Sequence, residues 1–512
     1  MGIENKSEKS LQAPWTAKSG VKRTATCGRG QGSLTMRIFG IIFVLSLTVS
    51  LFPGTVSAQR KDADLRVVNP SKGTVLSYPV GLLYGEVADQ NATEVQLVNP
   101  KIHTRKECVV GQAYRGRFKV LAPLRPGKNT LKVSCGDAST TWNLTYTPNG
   151  NPYKVRVIYM MDSGGNTRFQ TLSDKASQDF RGKLGTAMKL MQTMTAERMN
   201  DLGYGRRTFN IELDDEGETV VHVLRGEKTA KEYYEDQSWF HTVYREVEKK
   251  FSMEKARYLV IPAYTRFDPE TKKAYGHTAL GGGGLAMFGG GTLYCWPDNI
   301  ETAYYRMIDP TRIDGNRIMD DSVGRSTWWS CGATCIGASL HEIGHTFGLP
   351  HSTDPFDIMT RGHDHFYRPF LLREAPSAHT GFERWTDFKP HEAAWFGPPS
   401  ASHLVVSRWF AQGDPSNRPR GAIEFKDDPG QKAIFVRSEF GIAVVQGHAD
   451  GDIKFHMAPE PTDVVRNKFP KSAKIPYEKI RETIKGDTVI IRIYDANGDT
   501  YEHGDRKVKL VL

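Results

Sequence analysis

The sequence HEIGHTFGLPH, residues 341–351, decides the fold and has the pattern H-E-x-x-H-x-x-G-x-x-H. Histidines four positions apart share one face of a helix, so His341 and His345 can bind one zinc ion. Glu342 follows the first ligand and can accept a proton from water on the metal. Gly348 allows a sharp turn of positive φ, which brings His351 back as a third nitrogen ligand. The pattern predicts a catalytic zinc site whose fourth position stays open to water and substrate.

The shorter pattern H-E-x-x-H also occurs on solvated helix faces that bind no metal. Here the apolar residues around it recur with helical spacing, which predicts a helix that starts near Gly332 and buries one stripe of side chains. The two histidines fall on another face, which favours a metal site over a core position. The predicted stripe comprises Ile336, Leu340, Ile343 and Phe347.

The extended pattern, together with the tripeptide DIM at residues 357–359, resembles the metzincin zinc peptidases. This resemblance implies that the three histidines of the pattern are the zinc ligands and that Glu342 is the general base. It also implies that Met359 lies beneath the metal, in a Met-turn.

The chain departs at one position from the astacin-like and serralysin-like members of that group. Those members carry a tyrosine two residues after the methionine, where this sequence has Arg361. Help for the oxyanion, or contact with substrate, could come from Arg361 or from one of three residues that follow it, and the sequence leaves the choice open. These three are His363, His365 and Tyr367.

A closer likeness, over most of the chain after residue 60, is to a family of zinc peptidases from fungi and bacteria that is known mainly from sequence. Three stretches carry it, namely ALGGGGLAMFG at 279–289, LYCWP at 293–297 and DIMTRG at 357–362. Some fungal members carry a lectin-like C-terminal domain. The resemblance implies a peptidase but no particular substrate.

The glycine-rich segment at 281–291 admits more than one interpretation. A nucleotide-binding loop is disfavoured because the Lys-Ser/Thr of such loops does not follow. In metzincins an edge strand above the zinc pairs with the substrate backbone, and Gly282, Gly283 and Gly284 would let another chain approach closely. A plain flexible loop is the alternative.

The order of patterns predicts an α+β protein with three domains behind a leader. Short alternating segments predict an Ig-like β-sandwich over residues 61–150. Residues 153–395 predict a metzincin-like domain with a mixed sheet, the zinc helix and two long helices, Phe180–Leu202 and about Thr229–Phe251. The methionines of the first long helix are interpreted as core rather than as a copper site. Residues 398–512 predict a C-terminal β-sandwich with a binding role.

Residues 1–58 are predicted to be a leader with a signal peptide at 36–58. Its apolar stretch, Ile38 to Phe52, is too short for a confident membrane span, and the small residues VSA precede a cleavage site after Ala58. A signal-anchor is the alternative. We expect secretion, with N-terminal sequencing of the soluble native protein giving a start at or near Gln59. An intact leader in washed membranes would contradict this.

The predicted export would place the cysteines outside the cytoplasm, where they can oxidise. Five cysteines follow the leader, an odd number that leaves at least one of them unpaired with another in the chain. Cys108 could join Cys135 within the N-terminal β region. Cys295 could join Cys331 or Cys335, whereas a bridge between the last two would be strained on a helix.

These features predict a secreted zinc-dependent endopeptidase that binds one Zn²⁺ per chain and uses zinc-activated water with Glu342 as general base. Its partner is a protein or peptide substrate, with a glycan contact through the C-terminal domain as a further option. Residues 1–58 contribute +5 of the net charge of +10, and no basic run or nucleic-acid motif accompanies it, so nucleic-acid binding is disfavoured. No stable membrane span is expected. The alternative is an adhesion or carbohydrate-binding protein with a vestigial or accessory peptidase domain.

Overall fold

The computed structural model describes residues 64–104, 107–498 and 506–510. The predicted leader and signal peptide therefore lie outside the described residues. The described segments mix helices and strands, which confirms the α+β class. The Ig-like, metzincin-like and C-terminal sandwich assignments, with their boundaries, stay predictions.

The N-terminal region is all β, because its apolar side chains alternate with polar ones and each strand can bury one face. In one strand, for example, Asn129, Leu131 and Val133 are buried between more exposed neighbours. Eight strands form one sheet in the order β1-β3-β6-β5-β4-β7-β8-β2, antiparallel except for the last pair. They are β1 (Leu65–Asn69), β2 (Val75–Leu76), β3 (Val80–Val87), β4 (Glu94–Val98), β5 (Val109–Tyr114), β6 (Arg117–Pro123), β7 (Gly127–Cys135) and β8 (Ala138–Tyr146).

The central region is a mixed sheet covered by helices. Its order is β10-β9-β12-β16-β15, with β11 also paired to β9, and β15 is an antiparallel strand beside β16. The strands are β9 (Lys154–Met161), β10 (Asn210–Ile211), β11 (Val221–Arg225), β12 (Ala256–Pro262), β13 (Arg266–Asp268), β14 (Lys273–Tyr275), β15 (Ala279–Gly282) and β16 (Leu285–Phe288). The helices are α1 (Phe180–Asp201), α2 (Ala230–Glu235), α3 (Trp239–Glu248), α4 (Ala303–Met307) and α5 (Trp328–Thr346).

Both long segments predicted to be helical contain helices, but the second differs from the prediction. The methionines of α1 are core, as expected, since Met188, Met191 and Met194 are fully buried. The single helix expected near 229–251 is two helices, because the Asp236 carboxylate accepts bonds from the Ser238 backbone and from the side chains around it, which competes with helical bonding.

The zinc helix α5 begins at Trp328, four residues before the predicted start. Thr327 and Ser330 form a capping box, in which the Thr327 amide donates to the Ser330 hydroxyl at 3.2 Å and the two hydroxyls bond to each other at 2.8 Å. The third helical position holds a serine in place of the usual Glu or Gln, so the sequence indicated this start of the helix only weakly.

The C-terminal region combines short helices with two sheets. A five-stranded sheet has the order β17-β23-β22-β25-β26, and a three-stranded sheet has the order β20-β21-β24, while β18 pairs with β19. The first strand of the larger sheet comes from the predicted zinc-binding segment, about 100 residues earlier in the sequence than its partner β23. The elements are β17 (His351–Ser352), β18 (Arg373–Glu374), β19 (Thr386–Asp387), α6 (Pro398–Val406), β20 (Ile423–Asp428), β21 (Ala433–Ser438), β22 (Ile442–Ala449), β23 (Asp452–Met457), α7 (Pro461–Val465), β24 (Ser472–Pro476), α8 (Tyr477–Arg481), β25 (Thr488–Asp495) and β26 (Arg506–Lys509).

All five cysteines in the described part of the chain are free thiols, so the suggested disulfides are absent there. Cys108 and Cys135 lie at strands β5 and β7, and β4 pairs with both of them. Two strand spacings alone put these cysteines at least about 9.5 Å apart, beyond the reach of a disulfide. Cys331 and Cys335 have their sulfur atoms 3.9 Å apart, in contact but not bonded. Cys295 donates instead to a backbone carbonyl 3.0 Å away.

Within the described ranges, no helix is both long enough and apolar enough to cross a membrane.

Candidate metal centre

Helix α5 presents two histidines toward the same point. Ile336, Leu340 and Ile343 are at most 1% exposed, which confirms the predicted buried stripe. His341 and His345 lie on another face, one helical turn apart, and their Nε2 atoms are 3.1 Å apart. A zinc ion bound tetrahedrally at about 2.0–2.1 Å would hold neighbouring nitrogens about 3.3 Å apart, so this spacing fits the metal.

A tight turn brings in the third histidine. The helix ends at Thr346 with Phe347 as its C-cap, and Gly348 has φ +88°, a conformation that other residues adopt at a cost. The Leu349 amide bonds back to the Gly344 carbonyl at 3.2 Å, which closes the turn. One ligand atom each of His341, His345 and His351 then lies within 4.8 Å of the others, as predicted from the spacing of the motif.

Backbone carbonyls orient the two helical histidines. His341 Nδ1 is 2.7 Å from the Ile358 carbonyl, and His345 Nδ1 is 2.8 Å from the Leu349 carbonyl. A carbonyl only accepts, so each Nδ1 carries the proton and each Nε2 presents a lone pair. Two such lone pairs 3.1 Å apart repel each other unless a cation lies between them, which makes this donor set suitable for a metal ion.

The electrostatics of the site keep these rings neutral. Burial, and then the neighbouring His345, hold the pKa of His341 well below its usual value. Burial also lowers the pKa of His345, against the opposing effect of its bond to the Leu349 carbonyl. Neutral imidazoles are the form that binds a metal, so little free energy is spent on deprotonation.

Glu342 lies on the helix between the two ligands and is 6% exposed. Burial raises the pKa of its carboxyl group to about 8. A carboxyl group in a pocket of this kind can exchange a proton near neutral pH, which a general acid–base group requires. The backbone of Glu342 is also in close contact with strand β15, since a Cβ on Gly281 would lie 2.3 Å from the Glu342 carbonyl oxygen.

The predicted Met-turn packs under α5. Met359 is fully buried, and its sulfur occupies the space that a side chain on Gly344 would fill, 2.4 Å from the Cβ position. Asp357 accepts from the Met359 amide at 2.9 Å and from the Ser400 hydroxyl at 2.9 Å. The turn is therefore held by a carboxylate whose partner Ser400 lies on α6, a contact that the sequence did not indicate.

The four residues proposed for oxyanion or substrate contact lie in different surroundings. His363 is nearest to the ligands, with its ring centroid 5.5 Å from that of His341. Arg361 pairs with Asp364 at 2.6 Å, and the ring of His365 packs against that of Phe356 at 5.4 Å.

Tyr367 is not a candidate for contact with substrate, because it is 1% exposed and its hydroxyl lies 2.7 Å from the Cβ position of Gly332. Gly332 precedes the first ligand by nine residues, about 13.5 Å along the helix axis. The short spacing from the Met-turn in the sequence suggested a closeness that the packing does not provide.

The glycines of β15 and the turn after it have distinct neighbours. Gly282 faces open space, and Gly283 has φ +59° in the turn to β16, close to the Tyr244 ring. Gly284 lies against the Met253 sulfur. The contact with the zinc helix belongs to Gly281, which the sequence does not distinguish from its glycine neighbours.

The sequence also did not indicate a polar pair beside the edge strand. His277, two residues before β15, has its Nε2 atom 3.6 Å from the Asp321 carboxylate, in the segment before α5. This pair links the edge strand to the start of the zinc helix. Isolated His and Asp residues 44 positions apart carry no local pattern, so only the fold brings them together.

Comparison with known proteins identifies relatives over most of this region. A family model described as "Putative peptidase family" matches residues 64–444. A protein of Schizosaccharomyces pombe named "Putative zinc metalloproteinase" is 31% identical over 358 residues, which cover 64% of this chain and 56% of that protein. A Saccharomyces cerevisiae protein with the same name is 27% identical over 359 residues, 62% of this chain and 50% of that protein. The chain thus spans about half the length of these curated relatives.

Among solved structures, wild-type OgpA from Akkermansia muciniphila has a TM-score of 0.43 and 14% identity, covering 70% of this chain and 93% of that chain. A catalytically inactive OgpA, solved in complex with an O-glycopeptide substrate, has a TM-score of 0.42 and 13% identity, covering 70% of this chain and 92% of that chain. Both scores describe a distant likeness.

Proposed function

This chain belongs to the family described as "Putative peptidase family", and from that premise we propose that it is a zinc-dependent endopeptidase of the metzincin type. The observation that carries the proposal is the pair of Nε2 atoms of His341 and His345, 3.1 Å apart, with each Nδ1 held by a backbone carbonyl. The names of the two fungal relatives support zinc as the cofactor and a peptidase as the activity.

The residues of the centre have separate roles in this proposal. His341, His345 and His351 hold the metal. Zinc, when bound, supplies a Lewis acid that polarises the scissile carbonyl group and lowers the pKa of water. Glu342 accepts the proton of the attacking water and then delivers it to the leaving amine, for which a buried carboxyl group of raised pKa is suited. His363 is the nearest of the remaining candidates to the ligands and would contact the oxyanion or the substrate.

We assign substrate alignment to strand β15. It ends the path of strands in the mixed sheet, and it packs on α5 at Glu342 through Gly281. An extended peptide that adds to this edge would lie alongside the catalytic glutamate, and its main chain would gain hydrogen bonds without regard to side chains. Gly282 leaves the strand open at this point, since no atom lies within 4 Å of its Cβ position.

The flanking regions complete the proposal. We propose that residues 61–150 form an Ig-like accessory domain and that the C-terminal region adds a contact to the substrate, including any glycan on it. The predicted signal peptide would place the enzyme outside the cytoplasm.

A digest of casein with and without a zinc chelator tests the function. We expect cleavage by the purified mature protein, loss of cleavage with 1,10-phenanthroline, and recovery when zinc is added back, because three neutral imidazoles bind the metal reversibly. A trypsin digest run in the same buffers controls for effects of the chelator on the substrate. Cleavage that persists in metal-free protein would refute a zinc mechanism, and zinc-loaded protein that cleaves neither casein nor a peptide library would favour the binding-protein alternative.

Two neighbouring glycines test the role of β15. We expect Gly281→Ala to lower the free energy of unfolding by about 1–3 kcal/mol, because its new Cβ would lie 2.3 Å from a backbone oxygen and neither chain can yield easily. The activity should fall with it, since the strand and the helix at Glu342 must separate. Gly282→Ala, which meets open space, is the matched control and should stay within about 0.5 kcal/mol of the parent. Equal behaviour of the two variants in denaturant titrations would contradict this packing.

A further inference from the structure

We propose that the C-terminal region, from α6 to β25, positions the third metal ligand, His351, and thereby sets the affinity of the protein for zinc. The proposal concerns metal binding and does not depend on peptide hydrolysis. It makes the C-terminal region part of the metal centre, in addition to the contact with substrate proposed above.

The third ligand needs outside support more than the other two. His341 and His345 lie on a helix of 19 residues, whereas His351 opens a strand of only two residues and is exposed. A two-residue strand has no stability of its own. The orientation of His351 therefore depends on whatever pairs with that strand.

The partner of that strand is the C-terminal hairpin β22–β23. Strand β17 pairs with β23 in parallel, with His351 opposite Asp452 and Ser352 opposite Ile453. The hairpin turns just before this point, at Asp450 and Gly451, both with positive φ. Strand β23 also pairs with β22, and β22 with β25, so the ligand strand joins a sheet that is already formed.

A second contact supports the turn that precedes the ligand. The ring of His403, on α6, lies 3.5 Å from the Cβ position of Gly348. It stacks on Tyr494 of β25, with the ring centroids 4.0 Å apart. Burial lowers the pKa of His403 to about 3, so this ring is neutral and acts as a flat packing surface. The metal-binding turn therefore rests on a ring that the C-terminal sheet holds in place.

A third contact ties the Met-turn to the same helix. Asp357 accepts from Ser400 of α6, and the Ser352 amide donates to the Met359 carbonyl at 3.1 Å. Helix α6 is in turn held on the sheet by the Gln446 side chain, which donates to the Pro399 carbonyl at 3.0 Å. Both segments that flank His351 are thus connected to the C-terminal region through α6.

These contacts act on zinc affinity through preorganisation. A ligand that is already oriented gives up little conformational entropy when the metal binds, whereas a loosely held one loses more. Partners that orient metal ligands from outside the coordination sphere typically contribute 10–100-fold to metal affinity. We expect a contribution of about that size from the ring under the turn.

Zinc affinity of the full mature chain, measured by competition with a chromophoric chelator, tests the proposal. We expect His403→Ala to weaken zinc binding by at least about 10-fold. His403→Phe should recover most of the affinity, because a neutral ring of similar shape refills the space. Ile475→Ala is the matched control, since Ile475 is fully buried in the three-stranded sheet, away from the turn, and its truncation perturbs the same region without touching the ligand.

The pattern among the three variants decides the outcome. The proposal is supported if zinc binding is weakened in His403→Ala but not in Ile475→Ala. The thermal unfolding of the two metal-free alanine variants should then be shifted to a similar degree, which excludes general destabilisation as the cause. Unchanged affinity in His403→Ala, or an equal loss in Ile475→Ala, would overturn the proposal. Because the readout is zinc bound rather than peptide cleaved, either result leaves the proposed peptidase activity to be judged by its own assay.

Discussion

Glu342→Gln should abolish peptide hydrolysis while zinc stays bound. The amide has the shape of the carboxylate but cannot accept a proton, and Glu342 is not one of the three ligands. The loss of a positioned general base reduces turnover by at least about 10²-fold. The measurement is kcat on a cleaved casein peptide, together with zinc content by mass spectrometry. Near-native turnover in this variant would show that Glu342 is not the base.

A second glutamine variant controls for the loss of one negative charge. Glu392 is not one of the residues of the metal centre, and its carboxylate accepts a hydrogen bond from the nearby Lys389 amide at 2.7 Å. Glu392→Gln should therefore keep full turnover and full zinc content. If both variants lost activity to the same degree, the change in overall charge and not a proton transfer at the metal centre would explain the loss.

His345→Ala should remove zinc from the protein and all activity with it. Two imidazoles cannot complete the tripod, and the affinity should fall by more than about 100-fold, the upper range for loss of a mere supporting contact. Metal analysis after dialysis against a weak chelator measures the effect. Zinc retained at one ion per chain would show that His345 is not a ligand.

His363→Ala is the matched control for this loss. His363 is a partly buried histidine whose ring lies 5.5 Å from that of His341, yet it is not among the residues that the geometry brings together for a metal. We expect this variant to retain zinc. Its turnover then reports whether the side chain contacts the oxyanion, which is a separate question from metal binding. Loss of zinc in His363→Ala would require a different set of ligands.

Much of the metal centre was predictable because its parts are close in the sequence. The spacing of His341 and His345 follows from the pitch of a helix, and Gly348 is the residue type that a turn of φ +88° needs. The family was predictable as well, because the motif is specific enough to indicate it. The start of the helix was less certain, because Thr327 and Ser330 form a capping box with unusual chemistry.

For the cysteines and for Tyr367, spacing along the chain did not predict which residues are in contact. Cys108 and Cys135 belong to the same sheet, yet β4 lies between their strands, and strand order is not written in spacing along the chain. Tyr367 follows the Met-turn by eight residues, yet its side chain points back along α5 toward Gly332. In both cases a short or plausible separation in sequence did not become a short distance in space.

The sequence by itself determined the helix, the three histidines, the glutamate and the turn, because these interactions span only a few residues and depend on helical pitch and on φ. Only the tertiary structure decided what holds them. The carbonyl of Ile358 that orients His341, the contact of Gly281 with Glu342, and the pairing of His351 with the strand at Asp452 all depend on how distant segments pack. Backbone groups are the same in every residue, so no side-chain pattern reveals which of them will meet.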